Sequence, residues 1–206
     1  MGTISIIGAG TMAAAIADRA AQAGHTVEVI SRNTATAQTL VDQLQAGARA
    51  GTYGAAPAGD IVVLAVPYAS AAAVVAEFGE TLKGKVIIDI TNSAAPDLSG
   101  LLTPHGSSGA QEIAKRAPAE AHVVKAFNTI FGHVLSQGGR LDVFIAADNP
   151  EAKTLVTSFI ESLGLRPFDV GGLHMAQPLE EVGLMMIGLA SNGAGTWDFA
   201  LNVDLR

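Results

Sequence analysis

The sequence predicts an α/β protein with a doubly wound, mostly parallel sheet and a short C-terminal helical appendage. Three observations predict it. Short runs rich in Val and Ile recur along the 206 residues. Stretches with apolar residues at helical spacing separate them, so strand and helix alternate almost throughout, the pattern of βαβ units. The first such run leads into a Gly-x-Gly turn that opens a helix.

The elements follow in order. Thr3 to Ile7 is a buried strand, Gly8-Ala9-Gly10 its turn, and Thr11 to Ala23 a helix stopped by Gly24. Thr26 to Ile30 is a second strand, Ala35 to Gln45 a helix, and Ala48 to Tyr53 a third strand. Ile61 to Val66 is a strand ending at Pro67, followed by a helix over Ala69 to Leu82 and a strand over Lys85 to Ile90. Thr91 to Gly109, rich in Ser, Pro and Gly, reads as a loop, and Ala110 to Arg116 as a short helix. His122 to Phe127 and Asp142 to Ala146 are strands, and Pro150 to Leu163 is a helix with Pro in its first turn. Arg166 to Val170 is the last strand and Met175 to Leu189 the last helix. Residues 1–172 are expected to form one dinucleotide-binding domain, and 173–206 a helix and tail packed on it or on a partner subunit.

Composition narrows the function. Hydrophobic residues make up 49% of the chain, enough for a sizeable core, and the 23 glycines leave room for a ligand against bare backbone. A net charge of −7 argues against nucleic-acid or anionic-membrane partners. With no cysteine there is no disulfide, no thiolate nucleophile and no Cys-ligated metal, which fits a cytoplasmic protein. The apolar N-terminus lacks a basic flank and is broken by Gly8 and Gly10, so it reads as strand, turn and helix rather than as a leader. The apolar stretch from Ile61 to Ala76 is interrupted by Pro67 and is too short to span a bilayer.

Gly8-x-Gly10-x-x-Ala13 carries the most chemistry. Gly8 permits the tight turn, Gly10 lets backbone approach a pyrophosphate, and Ala13 lets the helix pack close to the strand. The pyrophosphate belongs at the helix N-terminus, where free N–H groups and the helix dipole favour negative charge. This is the Rossmann fingerprint. At the end of the second strand, where an NAD site places a carboxylate for the ribose 2′-hydroxyl, stand Ser31 and Arg32. A hydroxyl and a guanidinium suit a 2′-phosphate, with Asn33 and Thr34 adding neutral hydrogen bonds, so NADP(H) is the expected cofactor. Glu28 is a rival at plausible spacing for a ribose, set inside the strand.

Ligands in such sheets bind outside the carboxyl ends of the strands. Val66, Pro67 and Tyr68 end one strand, as packing for a nicotinamide ribose or as a stiff turn. Thr91 and Asn92 end the next, as groups that orient a carboxamide or as a capped loop start. In Lys125-Ala-Phe-Asn-Thr-Ile-Phe-Gly132, Asn128 and Thr129 offer an amide and a hydroxyl where a substrate would lie, while Lys125 within the strand is also a candidate ion-pair partner. None of the five histidines has metal-ligand spacing, and no Tyr-x-x-x-Lys pair is present. A dinucleotide cradle with little acid-base machinery suits direct hydride transfer to a ring that needs only positioning.

The segments Ile7-Gly-Ala-Gly-Thr-Met, Gly24-His25, Ser31-Arg32, Ala65-Val-Pro-Tyr68, Asp89-Ile-Thr-Asn92 and Lys125-Ala-Phe-Asn-Thr129 resemble the NADPH-dependent coenzyme F-420 reductase family. They are also similar to the cytosolic domains of the six-transmembrane metalloreductases. The resemblance implies NADPH on Gly8, Gly10, Thr11 and Met12, with Ser31 and Arg32 on the 2′-phosphate. It also implies a deazaflavin or flavin ring against the nicotinamide, beside Asn128 and Thr129. Archaeal members usually carry a histidine where this chain has Asn128. The resulting expectation is an NADP-dependent oxidoreductase moving hydride between NADP(H) and F-420 or a flavin-like acceptor. Gly-Ala-Gly-Thr-Met-Ala-Ala-Ala-Ile also resembles the opening of pyrroline-5-carboxylate reductases, which carry a longer helical dimerisation region. A small imine or carbonyl reductase, or an NADP-binding sensor without turnover, are therefore alternatives, and a homodimer through the last helix is one arrangement of the chain.

Overall fold

In a computed structural model, residues 2–44, 47–194 and 197–205 are described. Eight strands form one sheet in the order β3-β2-β1-β4-β5-β6-β7-β8. These are β1 Thr3–Ile7, β2 Thr26–Ile30, β3 Ala48–Ala50, β4 Ile61–Leu64, β5 Val86–Asp89, β6 His122–Lys125, β7 Asp142–Ala146 and β8 Arg166–Gly171. The helices are α1 Thr11–Gln22, α2 Thr34–Gln43, α3 Tyr68–Phe78, α4 Gly109–Ala114, α5 Gly132–Ser136, α6 Pro150–Ser162 and α7 Ala176–Ser191. Short 3-10 turns at Gly79–Leu82 and Leu173–Met175 follow α3 and precede α7. The doubly wound α/β expectation holds.

Strands β1 to β6 pair in parallel. Strand β7 meets β6 antiparallel through the single pair Lys125↔Ala146, and β8 lies parallel to β7. A parallel pair needs a full crossover connection, and the β6–β7 connection holds only the short α5, which packs on α1. Side chains alternate between the two faces of the sheet, as the period-2 pleat requires. Ile6, Val63, Ile88 and Val124 face Ile16 of α1, Leu40 of α2 and Phe159 of α6. Leu64, Ile87 and Val123 face Val74 of α3, Ile113 of α4 and Ala176 of α7.

Several boundaries differ from the sequence reading. Strands β4 and β6 end at Leu64 and Lys125, earlier than expected, and the helix expected over Ala69 to Leu82 breaks at Gly79, which has φ 47°, into α3 and a 3-10 turn. Strand β3 stops at Ala50; Gly51 N still donates to the Val29 carbonyl, and Tyr53 lies in the turn that follows. Helix α2 ends at Gln43, and the expected end at Gln45 lies outside the described residues. The short α5 was not legible: five residues carry too little periodicity to stand out.

Candidate dinucleotide site

The order of the strands reverses between β1 and β4, the crevice where sheets of this kind take ligands. Gly8 sits at the end of β1 with φ +125°, and a Cβ there would lie 2.0 Å from the Ala65 carbonyl oxygen just past β4. Only glycine closes the crevice this tightly. Gly10 is the N-cap of α1, with φ −85°. A Cβ on Gly10 would meet no described atom within 4 Å, so its surroundings are open. The first turn of α1 carries no acidic residue. The helix N-terminus therefore presents an open side at Gly10 and no acidic residue to repel an anion. Thr11 lines a cleft of about 530 Å³ with Ala9, Gly10 and, across from α1, Thr36 and Thr39 of α2. Met12 packs from the other side on Gly132, whose Cβ would stand 3.2 Å from the Met12 nitrogen.

A second cleft, of about 330 Å³, lies at the end of β2 and is lined by Ser31, Arg32, Tyr53, Val66, Pro67 and Ser70 among others. The Arg32 Nε donates to the Tyr53 hydroxyl at 3.2 Å, and its guanidinium carbon lies 5.7 Å from the Tyr53 ring centroid. That hydroxyl in turn donates to Glu77 of α3. The hydrogen bond to Tyr53 raises the Arg32 pKa above its ordinary value, so the guanidinium is a fixed cation. Asn33 caps α2, its Oδ1 accepting from Ala35 N at 3.0 Å and Thr36 N at 3.4 Å, which leaves its amide nitrogen for a ligand. The Ser31 Oγ accepts from Asn33 N at 3.3 Å. Glu28 points elsewhere. It is buried, and it accepts from Ser5 Oγ at 2.6 Å, Ala58 N at 2.8 Å and Arg49 at 3.2 Å, tying β1, β2, β3 and the turn before β4 together. The alternative ribose ligand is thereby a structural carboxylate.

The far end of the crevice is polar and largely buried. The Asn128 amide donates to Asn92 Oδ1 at 2.9 Å and to the Leu179 carbonyl at 2.8 Å, while Asn92 donates back to the Asn128 carbonyl at 2.8 Å. Phe127, just before, holds a left-handed φ of 62° although it is not glycine, an uncommon conformation that places Asn128. Thr129 is 2% exposed, so it joins the wall of the site rather than its open floor. The Thr91 Oγ1 and Asn128 Oδ1 are buried without a partner among the described residues. Buried polar atoms are ordinarily satisfied.

Behind this corner the Lys125 ammonium lies 2.8 Å from Asp89 Oδ2 and 2.9 Å from Glu180 Oε1, and it also donates to the Thr91 carbonyl. Glu180 accepts further from Ser93 Oγ and Gly109 N. Lys125 is therefore the ion-pair partner, not an exposed base. Tyr68, at the start of α3, packs its ring on Gly109, and burial, with Glu180 next, pushes its phenol pKa up. His133 stacks on Phe131 at 6.1 Å, and His25 lies at the start of β2, with Nδ1 accepting from Gly2 N and Nε2 beside Ser162.

Sequence reasoning missed Tyr53 and Glu77. The signal was weak: Tyr53 read as the end of a strand, and Glu77 fell unremarked inside the helix expected over Ala69 to Leu82.

Residues 3–93 match the family described as NADP oxidoreductase, coenzyme F420-dependent. The chain is 28% identical to the rat (Rattus norvegicus) metalloreductase STEAP3 over 89% of its length and 37% of that protein. It is 28% identical to an F420-dependent NADP reductase of Methanocaldococcus jannaschii over 66% of its length and 64% of that protein. The chain thus spans less than two thirds of both of these relatives. A crystal structure from Arthrobacter sp. FB24, provisionally named an F420-dependent NADP reductase, superposes over 100% of both chains with a TM-score of 0.85 at 25% identity. By sequence and fold, the chain is similar to the F420-dependent NADP reductases. Among the described residues, no helix is long and apolar enough to cross a membrane.

Proposed function

We propose that this protein binds NADP(H) along the carboxyl edge of β1, β4 and β5 and serves hydride transfer to or from a deazaflavin, coenzyme F-420, or a flavin-like ring. The observation that carries the reading is the end of β2. Ser31 and Arg32 line the cleft there, and the one carboxylate at a competing spacing, Glu28, is buried in bonds to Ser5, Ala58 and Arg49. A 2′-phosphate meets a cation and a hydroxyl in the lining of the cleft, and the neighbouring Glu77 carboxylate is already taken up by the Tyr53 hydroxyl.

Four groups of residues support the reading. Gly8 gives the close turn, Gly10 the open approach, and Thr11 and Met12 the backbone N–H groups of the first turn. At the far end Thr91 Oγ1 and Asn128 Oδ1 are buried polar atoms without a partner among the described residues. When bound, NADPH supplies a hydride from its nicotinamide ring. The chain's part is to bind, orient and keep water out. The Asn92–Asn128 pair and the buried Lys125 cluster hold the wall in one geometry, which is how positioning lowers a barrier. Hydride transfer to such a ring requires no side chain as acid, in keeping with a corner whose ionisable groups are already paired.

The test is an anaerobic assay with NADPH and oxidised F-420, following the deazaflavin absorbance. Fast bleaching with NADPH and slow or no bleaching with NADH is the expected result. Binding of NADPH with no bleaching by F-420 or free flavin would sink the acceptor assignment. Turnover of a cyclic imine instead would move the chain to the imine-reductase reading.

A further inference from the structure

Arg32 is exposed, yet one of its donors is already committed. Its Nε–H donates to Tyr53, and neither Nη nitrogen makes a hydrogen bond to a described residue. A phenol has a single proton, and Tyr53 gives it to Glu77. The Tyr53 oxygen is left as an acceptor only, the form that Arg32 Nε requires. The ring is itself held, edge-on to the buried Phe78 at 5.1 Å and 81°. Three elements therefore meet on one guanidinium: the end of β2, the turn after β3 and the last turn of α3.

We propose that Tyr53, set by Glu77, is a positioning residue for dinucleotide choice. It anchors Arg32 by Nε and keeps the Nη pair, a planar fork, free for the 2′-phosphate of NADP(H). This rests on the nucleotide reading given above and deepens it. An exposed arginine ordinarily loses rotamer freedom when it grips a ligand. Holding it beforehand by Nε removes part of that loss, and a planar fork presented in one orientation binds phosphate bidentately. The Tyr53 hydroxyl acts on the 2′-phosphate through Arg32, so removing it with the ring kept leaves NADH, which has no 2′-phosphate, close to unaffected.

The experiment is a double-mutant cycle read by calorimetric binding of NADPH and of NADH to the full chain. Phenylalanine keeps the ring on Phe78, so Tyr53→Phe is expected to fold with an unchanged melting temperature. The expected result is NADPH binding weakened about five- to tenfold in Tyr53→Phe, with NADH within about twofold of wild type. In an Arg32→Ala background the same change is expected to add nothing, because its route of action is gone. Equal loss for both nucleotides, or full additivity with Arg32→Ala, overturns the positioning role. The two levels fail separately. If wild type does not prefer NADPH over NADH, the nucleotide reading falls and takes this inference with it. If wild type prefers NADPH, Arg32→Ala abolishes that preference and Tyr53→Phe keeps it, only the inference falls.

Discussion

Glu180 of α7 meets Lys125 of β6 at 2.9 Å, with both side chains fully buried. The contact joins the C-terminal helix to the edge of the sheet that holds the candidate site, and Asp89 at 2.8 Å completes a buried group of two carboxylates and one ammonium. Such groups hold geometry more than they add stability, because desolvating the charges offsets much of their attraction.

The charge count sets an order among substitutions. Lys125→Met strands two buried carboxylates and is expected to cost on the order of 3–5 kcal/mol. Glu180→Gln leaves the Asp89–Lys125 pair and an oxygen for Ser93 and Gly109, and is expected to cost about 1–3 kcal/mol. Urea denaturation of the two variants checks the order. A Lys125→Met protein as stable as Glu180→Gln would contradict the buried-charge argument.

The two fingerprint glycines should fail differently. Gly8→Ala forces a side chain into a φ of +125° and onto the Ala65 carbonyl, so it should lower stability outright. Gly10→Ala meets open space in the ligand-free protein and should leave the melting temperature near wild type. Its methyl would stand where the pyrophosphate approaches, so NADPH affinity should fall about tenfold or more, roughly 1.4 kcal/mol. Melting curves with and without NADPH separate the two.

Arg32→Ala should weaken NADPH about tenfold or more, and NADH far less, because a charge-assisted contact to the 2′-phosphate is lost only for NADPH. Titration of each nucleotide at fixed salt decides it. Equal losses would remove the 2′-phosphate role from Arg32.

The tail offers a pH readout. The Asp142 carboxylate accepts from Arg166 at 2.6 and 2.7 Å, and the pair also holds both backbone groups of Val203. Arg166 keeps the Asp142 pKa below its ordinary 3.8. A carboxyl depressed in the folded state stabilises above its unfolded pKa and loses that contribution as pH falls through the folded one. Release of the tail is therefore expected only below about pH 3.8 in wild type, and at neutral pH in Asp142→Asn. Trp197, the single tryptophan, lies edge-on to Phe131 at 5.2 Å, and its emission reports the change as a red shift. Emission in Asp142→Asn identical to wild type at neutral pH would show that the tail is held by something else.

By itself the sequence determined the alternation of strand and helix, the glycine turn at Gly8 and Gly10, and a hydroxyl and a guanidinium side by side at Ser31 and Arg32. Each of these is written in residues a few positions apart: pleat and helix periods, a turn that needs glycine, a charge at a strand end. Tertiary structure alone decided the rest. It turned Glu28 inward onto Ser5, closed the Asn92–Asn128 pair across 36 positions, and reversed β7 against β6. It also set Tyr53 beneath Arg32 and Glu180 against Lys125, 21 and 55 positions apart. The physical reason is that a polar side chain's role depends on which partner reaches it once water is excluded. That partner is chosen by how the sheet and helices pack, which no local pattern of residues records.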